Sequence, residues 1–396
     1  MRRTYVRVTL EMEASWRVGS WDTKSDDSIE TLMDELTGSP MVPGSGISGG
    51  LRVAAGADAP QLFGPEPGAS QLSVSPWWVL GTVVEDAPVT TRRRVSIDRR
   101  RGAASRRGLF GVDEVGGGRI KVYFRSEVED PSPFLDLLAK WRPRIGGSRS
   151  TGMGRARVSS IRYRTLDLDT RDGVAALLGG DKQTPVARVD ALLKRGRDSD
   201  TQVNREIPLL EAKVRCEFLA QPEEQQASTN GSAWKGILRS RVEFIGRSLG
   251  LNVCGYGKEN WTGCGECSVC RAFGSSTGGG KWEFLDSVWE HHEARSRTRV
   301  AIDRFTGGAR DGALFTQHYE RDVTMTLKIM GPPLDDEEDR WVERALLHAL
   351  RDLDDQLITI GPEGASGYGM ASVEGVRFRG SSVTLNELEP VVEEVA

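Results

Sequence analysis

At 396 residues, with 38% hydrophobic and 28% charged residues, the chain has the composition of a soluble globular protein with room for two domains. No apolar run reaches the length of a membrane span, and residues 1–18 lack the apolar core of a signal peptide, so we expect a cytoplasmic protein with no membrane partner. The net charge of −4 excludes a globally basic nucleic-acid binder. However, residues 92–107 hold eight arginines and one aspartate, and such a local basic surface can bind phosphate.

The first half of the chain shows elements in the order β-α-β-β-α-β. They are a strand over 4–17, a weak glycine-rich helix after a Gly-Ser turn, hairpin strands over 94–98 and 119–124, a helix over 132–142, and a strand after a glycine-rich loop. This order predicts an α+β, ferredoxin-like sheet. Such a sheet leaves one face free, and RNA binding is one use of that face.

The second half repeats the same order. It shows a strand over 211–220, a helix over 232–250 that Ser232 can cap, a hairpin whose returning strand covers 320–329, a helix over 335–353 and a last strand. Residues 94–110 and 299–315 share nine of seventeen positions at a constant offset of 205 residues. The flanking Gly-Ser turns and glycine-rich loops recur in the same order along the chain, which indicates a duplication.

This repeat predicts the domain organisation. We expect a first domain over 1–165, a linker over 166–205, a second domain over 206–380 and an acidic C-terminal tail over 381–396. The linker does not repeat, is polar and contains one short helical stretch, and it can fold against its neighbours.

Four of the five cysteines form a cluster in the second repeat alone, within an insertion of 18 residues relative to the first repeat. They are Cys254, Cys264, Cys267 and Cys270. Four thiolates from one short loop suit a closed tetrahedral zinc site, which is structural rather than catalytic. An iron–sulfur cluster also takes four thiolates and is the alternative. Cys216 lies in an alternating strand and is expected to be a core thiol.

These motifs together resemble the RAMP (repeat-associated mysterious protein) superfamily of CRISPR effector subunits, and most closely the backbone subunits of type III complexes. The matching features are the turn and helix from Gly231 to Ser240, the C-x2-C-R-x-F-G-S segment from Cys267 to Ser275, the two R-V-x-I-D-R hairpins and the closing glycine-rich loops. The resemblance covers roughly residues 4–165 and 206–380. It implies two tandem ferredoxin-like RAMP domains, each with a long hairpin thumb, and a zinc loop at 254–270 in the second.

The resemblance also implies that both domains bind the backbone of a guide RNA and the guide–target RNA duplex. The candidate RNA-binding residues are Ser45, Arg52, Arg93, Arg94, Arg99, Arg149, Gly152, Gly154 and Arg155, followed by Ser232, Lys235, Arg239, Arg299, Arg304, Gly367 and Gly369. Glycine-rich loops and helix N-termini offer backbone N–H groups that phosphate can approach closely. The implied partners are a CRISPR guide RNA, a target RNA and other type III effector subunits, including a large polymerase-like subunit.

A catalytic aspartate is implied in the loop over 18–45, where related subunits cleave target RNA with a metal ion. The family spacing, counted back from Asp34, falls on Ser28, so a shift of one residue makes Asp27 the first candidate and Asp26 the second. Such a carboxylate would hold a divalent cation such as Mg²⁺ or orient the attacking 2′-hydroxyl. The alternatives are a standalone RAMP-type ribonuclease that processes CRISPR precursor RNA and a non-catalytic RNA-binding scaffold.

Overall fold

The computed structural model describes residues 1–19, 28–65, 75–98, 103–179, 184–201, 206–220, 227–254, 263–334 and 336–392. The chain divides into two compact units. The first comprises Met1–Ser96, Ala104–Arg149 and Met153–Arg205, and the second comprises Ile97–Ala103, Ser150–Gly152 and Glu206–Ala396. Among the helices in these described ranges, none is long and apolar enough to cross a membrane.

The first unit is built on a mainly antiparallel sheet. Its strands are β1 (Arg2–Met12), β2 (Ser28–Ile29), β3 (Trp77–Glu85), β4 (Val89–Asp98), β5 (Ala103–Val115), β6 (Arg119–Ser126), β7 (Ala156–Asp167) and β8 (Arg197–Ser199). The main sheet has the order β3-β6-β1-β7-β8, with every pair antiparallel. Strands β4 and β5 lie in a separate sheet, where β5 also pairs with β2.

The hairpin of the first unit therefore returns along a different strand from the one predicted. The sequence suggested 119–124 as the returning strand, whereas the structure assigns this segment to β6 of the main sheet and closes the hairpin with β5. The glycine run Gly116–Gly118 is the physical reason, because Gly117 and Gly118 adopt positive φ angles of 57° and 85° and start a new strand. Strand β3, which pairs with β6, was not predicted.

One face of this sheet is covered by α1 (Gly44–Ala55), α2 (Ala59–Phe63) and α3 (Ser132–Lys140). The α1 helix forms although it carries four glycines, because Ile47 and Leu51 are buried in the core beneath it. In the same core Phe134 of α3 stacks on Trp77 of β3, with ring centroids 3.9 Å apart. Tertiary packing thus offsets the low intrinsic helix propensity of glycine.

The opposite face of this sheet is not free, contrary to expectation for the first unit. It packs against the segment predicted as a linker, which forms α4 (Arg171–Leu178) and α5 (Pro185–Leu193). Val189, Leu192 and Leu193 of α5 join Tyr5 and Tyr123 of the sheet in a second hydrophobic core. This face is therefore occupied by the protein's own chain rather than available for RNA.

Asp190 fastens α5 to the sheet. Its Oδ1 accepts hydrogen bonds from Arg7 NH1 at 2.6 Å and from the Tyr123 hydroxyl at 3.0 Å. Partial burial alone would raise the pKa of Asp190, but the hydrogen bonds from Arg7 and Tyr123 dominate and lower it. Burial and the neighbouring Asp190 carboxylate raise the pKa of the Tyr123 phenol.

We expect Asp190→Asn to destabilise the first unit by about 1–2 kcal/mol at pH 7, because it weakens a charge-assisted contact. A lowered folded-state pKa contributes stability that is present above the ordinary value of about 3.9 and is lost as the pH falls through the folded value. Urea denaturation at pH 7 and pH 3 measures this. Asp198→Asn is the control, since Asp198 lies 3.6 Å from Arg162 and its side chain is 76% exposed. Equal effects of the two variants would contradict the role of Asp190.

The second unit is also built on an antiparallel sheet, and its two hairpin strands are longer than those of the first unit. Its elements are β9 (Leu210–Ala220), β10 (Ser228–Thr229), α6 (Gly231–Ser248), α7 (Ser268–Phe273), β11 (Glu283–Phe284), β12 (Ser287–Ile302), β13 (Ala309–Met330), α8 (Arg340–Asp354), β14 (Ala371–Phe378) and β15 (Ser381–Val383). The sheet order is β10-β12-β13-β9-β14-β15. Its central four strands, β12-β13-β9-β14, follow the chain order of β3-β6-β1-β7 in the first unit, and each neighbouring pair is antiparallel.

The two units differ in their hairpins and their outer sheet faces. Strands β12 and β13 continue from the sheet into the hairpin without interruption. On β9, buried Ala212, Val214 and Cys216 alternate with Lys213 and Arg215, which remain exposed. The segment predicted as an acidic tail forms β15 and buries Leu385 and Val391 in the core of this unit.

Candidate functional site

The four clustered cysteines converge in the second unit. Their sulfur atoms all lie within 4.8 Å of one another. The Cys254 sulfur is 3.4 Å from that of Cys270 and 3.5 Å from that of Cys267. A tetrahedral ion with zinc–sulfur bonds of about 2.3 Å separates its sulfur ligands by about 3.8 Å. The donor set and spacing therefore fit a single metal ion such as zinc better than an iron–sulfur cluster, whose thiolates bind different irons.

Backbone N–H groups already point at these sulfurs. Cys267 N and Glu266 N donate to the sulfur of Cys264 at 3.2 and 3.4 Å, and Cys264 N donates to Cys254 at 3.4 Å. Partial burial alone would raise the pKa of the Cys264 thiol, but the backbone donors outweigh it and lower that pKa to about 7. For Cys267, burial dominates and raises the pKa to about 12. Metal binding would deprotonate both thiols.

Arg239 lies beside this cluster rather than on the surface where a phosphate contact was predicted. Its side chain is 9% exposed. The three guanidinium nitrogens donate to Glu243 Oε1 at 2.8 Å, to the Gly274 carbonyl at 2.6 Å and to the Cys270 sulfur at 3.4 Å. In this conformation all three guanidinium nitrogens donate to groups of the second unit itself.

The two glycine-rich loops share one backbone geometry. Gly152 and Gly154 have φ angles of 78° and 77°, and Gly367 and Gly369 have φ angles of 86° and 75°. In the first loop Ile145 N donates to Gly154 O at 2.8 Å, and in the second Ile360 N donates to Gly369 O at 2.9 Å. The same pattern of hydrogen bonds and left-handed residues thus recurs 215 positions apart.

The hairpin arginines at aligned positions contact the residue between the paired glycines. Arg94 NH2 lies 3.2 Å from the Met153 sulfur, and the Arg299 guanidinium lies 5.1 Å from the centroid of the Tyr368 ring. Met153 and Tyr368 are each 4% exposed. Hairpin and loop therefore meet at corresponding residues in both units, although the kind of contact differs.

Of the remaining hairpin arginines predicted to bind RNA, two are exposed and one lies outside the described residues. Arg93 and Arg304 are exposed, as a phosphate-binding side chain must be. Arg99 and the candidate catalytic residues Asp26 and Asp27 lie outside the described residues.

Glu114 is a buried carboxylate near the end of β5, the second strand of the first hairpin. It was not identified from the sequence. It is 2% exposed and contacts Arg94 at 2.5 Å and Arg92 at 3.2 Å. Arg17 lies close by, and its pKa is lowered by burial and by repulsion from Arg94. Arg17 Nε and NH1 and Arg94 Nε are buried without a hydrogen-bond partner in the described part of the chain. Glu114 thus helps to stabilise a crowded cationic cluster.

Glu114→Gln is expected to destabilise the first unit by about 2–3 kcal/mol, because removing one partner of a buried ion pair leaves an uncompensated charge. The matched control is Glu363→Gln, which removes the carboxylate 3.8 Å from Arg299 in the second unit. Its side chain is 43% exposed, so we expect a change below about 0.5 kcal/mol. Urea denaturation of both variants tests this, and a small effect at Glu114 would contradict it.

The second hairpin base carries an aromatic cluster that sequence reasoning missed. The Tyr319 ring packs edge-on against Phe218 at 5.9 Å and against Tyr368 at 5.6 Å between centroids. Arg297 lies 5.9 Å above Tyr319. Aromatic rings interleaved with arginines are typical of surfaces on which bases stack. The tyrosine on β13 and the tyrosine within the glycine-rich loop were the available sequence signals.

The Gly-Ser turns begin α1 and α6, as the repeated motif suggested. Ser45 is exposed near the start of α1, whereas Arg52 donates to the carbonyls of Gly64 and Phe63 at 2.9 and 2.8 Å. This contact caps the end of α2. It therefore gives Arg52 a structural contact within the first unit.

The second Gly-Ser turn differs from expectation at its cap. The N-cap residue of α6 is Asn230 rather than Ser232, and Gly231 N donates to Asp286 Oδ1 at 2.7 Å. A carboxylate therefore already interacts with the positive end of this helix. Lys235, one turn further, donates to Ser150 Oγ at 2.7 Å.

The two arginines flanking the first glycine-rich loop also differ in exposure. Arg149 is exposed and donates to the Gly146 carbonyl at 3.2 Å. Arg155 is 9% exposed. Of these two, only Arg149 presents its side chain to solvent.

The described chain is thus an α+β protein with antiparallel sheets, long hairpins and a four-cysteine cluster that can bind a metal ion. The family model of the RAMP superfamily matches residues 230–372. This range begins at the N-cap of α6, contains the cysteine cluster and the second hairpin, and ends in β14. Among curated proteins, none matches the sequence.

Proposed function

We propose that the chain is an RNA-binding backbone subunit of a type III-like CRISPR ribonucleoprotein. The match of residues 230–372 to the RAMP superfamily is consistent with an RNA-related CRISPR role. The proposal further holds that the chain is a tandem fusion of two ferredoxin-like RAMP domains. Its partners would be a guide RNA, a target RNA and further effector subunits, including a large polymerase-like subunit.

The observation that carries the tandem proposal is the repeated contact between hairpin and loop. Arg94 with Met153 and Arg299 with Tyr368 occupy aligned positions in units with the same central strand order. This shared strand order supports a β-α-β-β-α-β ferredoxin-like sheet in each unit. Both hairpins would then be thumbs that contact the same nucleic acid at two points.

The second hairpin base supplies the chemistry for RNA. Arg297 and Arg299 offer charge, and Tyr319 offers a partly exposed ring next to them. Phosphate contacts from arginine make affinity depend on salt, and aromatic stacking binds bases regardless of their sequence. This combination suits a subunit that follows a guide of any sequence.

The test is binding of a labelled single-stranded RNA of mixed sequence by the full chain over a range of salt concentrations. The double variant Arg297→Ala/Arg299→Ala should bind roughly 10-fold more weakly at low salt and lower the salt slope by about 1–2. The control, Arg340→Ala/Arg351→Ala, removes the same charge from α8, which belongs to neither the hairpin nor the sheet of the second unit. If both double variants lose affinity equally, binding is non-specific attraction and this interface is wrong.

Cleavage is a separate part of the proposal and rests on Asp26 and Asp27. In a reconstituted complex, Asp26→Asn/Asp27→Asn should abolish metal-dependent cutting of target RNA at this subunit while guide binding persists. Continued cutting at every position would leave a non-catalytic scaffold. Purification from the host without small RNA or partner subunits would instead support a standalone ribonuclease.

A further inference from the structure

The Arg239 side chain joins three parts of the second unit at one point. Its acceptors are Glu243 on α6, the Gly274 carbonyl after the end of α7, and the Cys270 sulfur within α7. Both Arg239 and Cys270 are buried, at 7% and 2% exposure. A fork of planar N–H donors is the only side-chain group that can serve three acceptors in fixed directions.

The charge of a loaded cysteine site explains why such a donor is needed. Four thiolates around a divalent ion leave a net charge of about −2, and buried charge is costly unless hydrogen bonds compensate it. Backbone N–H groups serve the sulfurs of Cys254 and Cys264. Cys270 lies deepest in the cluster, and Arg239 donates to its sulfur.

The local backbone leaves room for this contact. Gly263 has a φ angle of 100°, and a Cβ added there would lie 2.8 Å from the Cys270 sulfur and 3.2 Å from Arg239 NH2. A larger residue at this position would push against both groups. The close approach of guanidinium and sulfur is therefore built into the loop as well as into α6.

We propose that Arg239 is a positioning residue of the four-cysteine metal site. Its N–H group donates to the Cys270 thiolate, orients that ligand and slows loss of the metal ion, while Glu243 holds the guanidinium in place. Partners of this kind around metal ligands commonly change affinity by about 10- to 100-fold when they are removed. This role does not depend on the proposed RNA function.

The experiment compares Arg239→Lys with Arg241→Lys in the zinc-loaded full chain. Arg241 is the matched control because it lies on the same helix and pairs with Asp352 at 2.6 Å, a contact with α8. The rate of zinc transfer to a chromogenic chelator is measured, together with the thiolate-to-metal charge-transfer band of the Co²⁺-loaded protein. Arg239→Lys should release zinc roughly 10-fold faster and shift the band, whereas Arg241→Lys should leave both unchanged.

Equal release rates for the wild type and Arg239→Lys would overturn the proposal. So would equal acceleration in both variants, because that result indicates general loosening of α6.

A measurement on the wild type covers the case in which Arg239→Lys does not fold. In protein loaded with ¹¹³Cd and labelled at arginine, coupling across the N–H···S bond should connect an arginine side-chain nitrogen-bound proton to the metal. Coupling to backbone N–H protons alone would refute the assignment.

Discussion

We expect that removing zinc from a zinc-loaded four-cysteine cluster unfolds the core around α7 in the second unit. The α7 helix has six residues, which is too short to be stable alone, yet Phe273 packs against both Trp282 and Phe284 at 5.3 Å between ring centroids. The cysteine cluster holds this helix in place. Structural zinc sites in small peptides contribute about 10–16 kcal/mol of apparent binding energy, so we expect chelation to cost the unit at least about 4 kcal/mol.

The measurement is the Tm of the full chain with and without excess chelator. At about 2–4 °C per kcal/mol for a unit of this size, the Tm should fall by roughly 10 °C or more. Cys267→Ser should show the lower Tm at once and no further response to chelator. The matched control is Cys216→Ala in β9, a fully buried thiol whose pKa burial raises to about 12.

Cys216→Ala removes a sulfur from the same hydrophobic core without touching the cluster. It should lower the Tm modestly, by the loss of a small buried side chain, and should keep the full response to chelator. A wild-type protein that carries no stoichiometric metal and is insensitive to chelator would show that the cysteine cluster is not a structural metal site. Loss of metal from Cys216→Ala would contradict the ligand set.

Features that depend on short stretches of chain could be predicted from the sequence. The four cysteines share one loop, so the spacing alone indicated that they converge, as their sulfurs do. The helices α3, α6 and α8 followed from apolar periodicity and start signals.

Features that depend on distant partners could not be predicted in this way. Arg239 stands in a helix among other basic residues, and nothing in its neighbourhood in sequence shows that Gly274 and Cys270 fold over it. Glu114 is one acid among many arginines, and its burial depends on where the hairpin packs. The covering role of α5 was missed because its apolar face is short and its partner, β1, lies at the other end of the unit.

The last expected result concerns the glycine-rich loops, where one methyl group should have a large effect. Gly369 has a φ angle of 75°, and a Cβ there would collide with the Ile360 carbonyl oxygen, well inside contact distance. Gly369→Ala therefore combines left-handed strain of about 1–2 kcal/mol with loss of the Ile360–Gly369 hydrogen bond and a forced backbone shift. We expect a total above about 4 kcal/mol, which is the exceptional end of single substitutions.

Gly367→Ala separates the two contributions. Gly367 has a φ angle of 86°, but no atom of the described residues other than its chain neighbours lies within 4 Å of an added Cβ. It should cost only the conformational strain of about 1–2 kcal/mol. Urea denaturation of the two variants gives the comparison, and similar losses of stability would show that the Ile360 contact is not rigid.

Gly154 faces the Ile145 carbonyl in the same way in the first unit. If Gly154→Ala is as damaging there as Gly369→Ala is in the second unit, both loops depend on the same close backbone contact. If Gly154→Ala is only mildly destabilising, the two loops share a hydrogen-bond pattern but the pattern does not contribute equally to the stability of the two units.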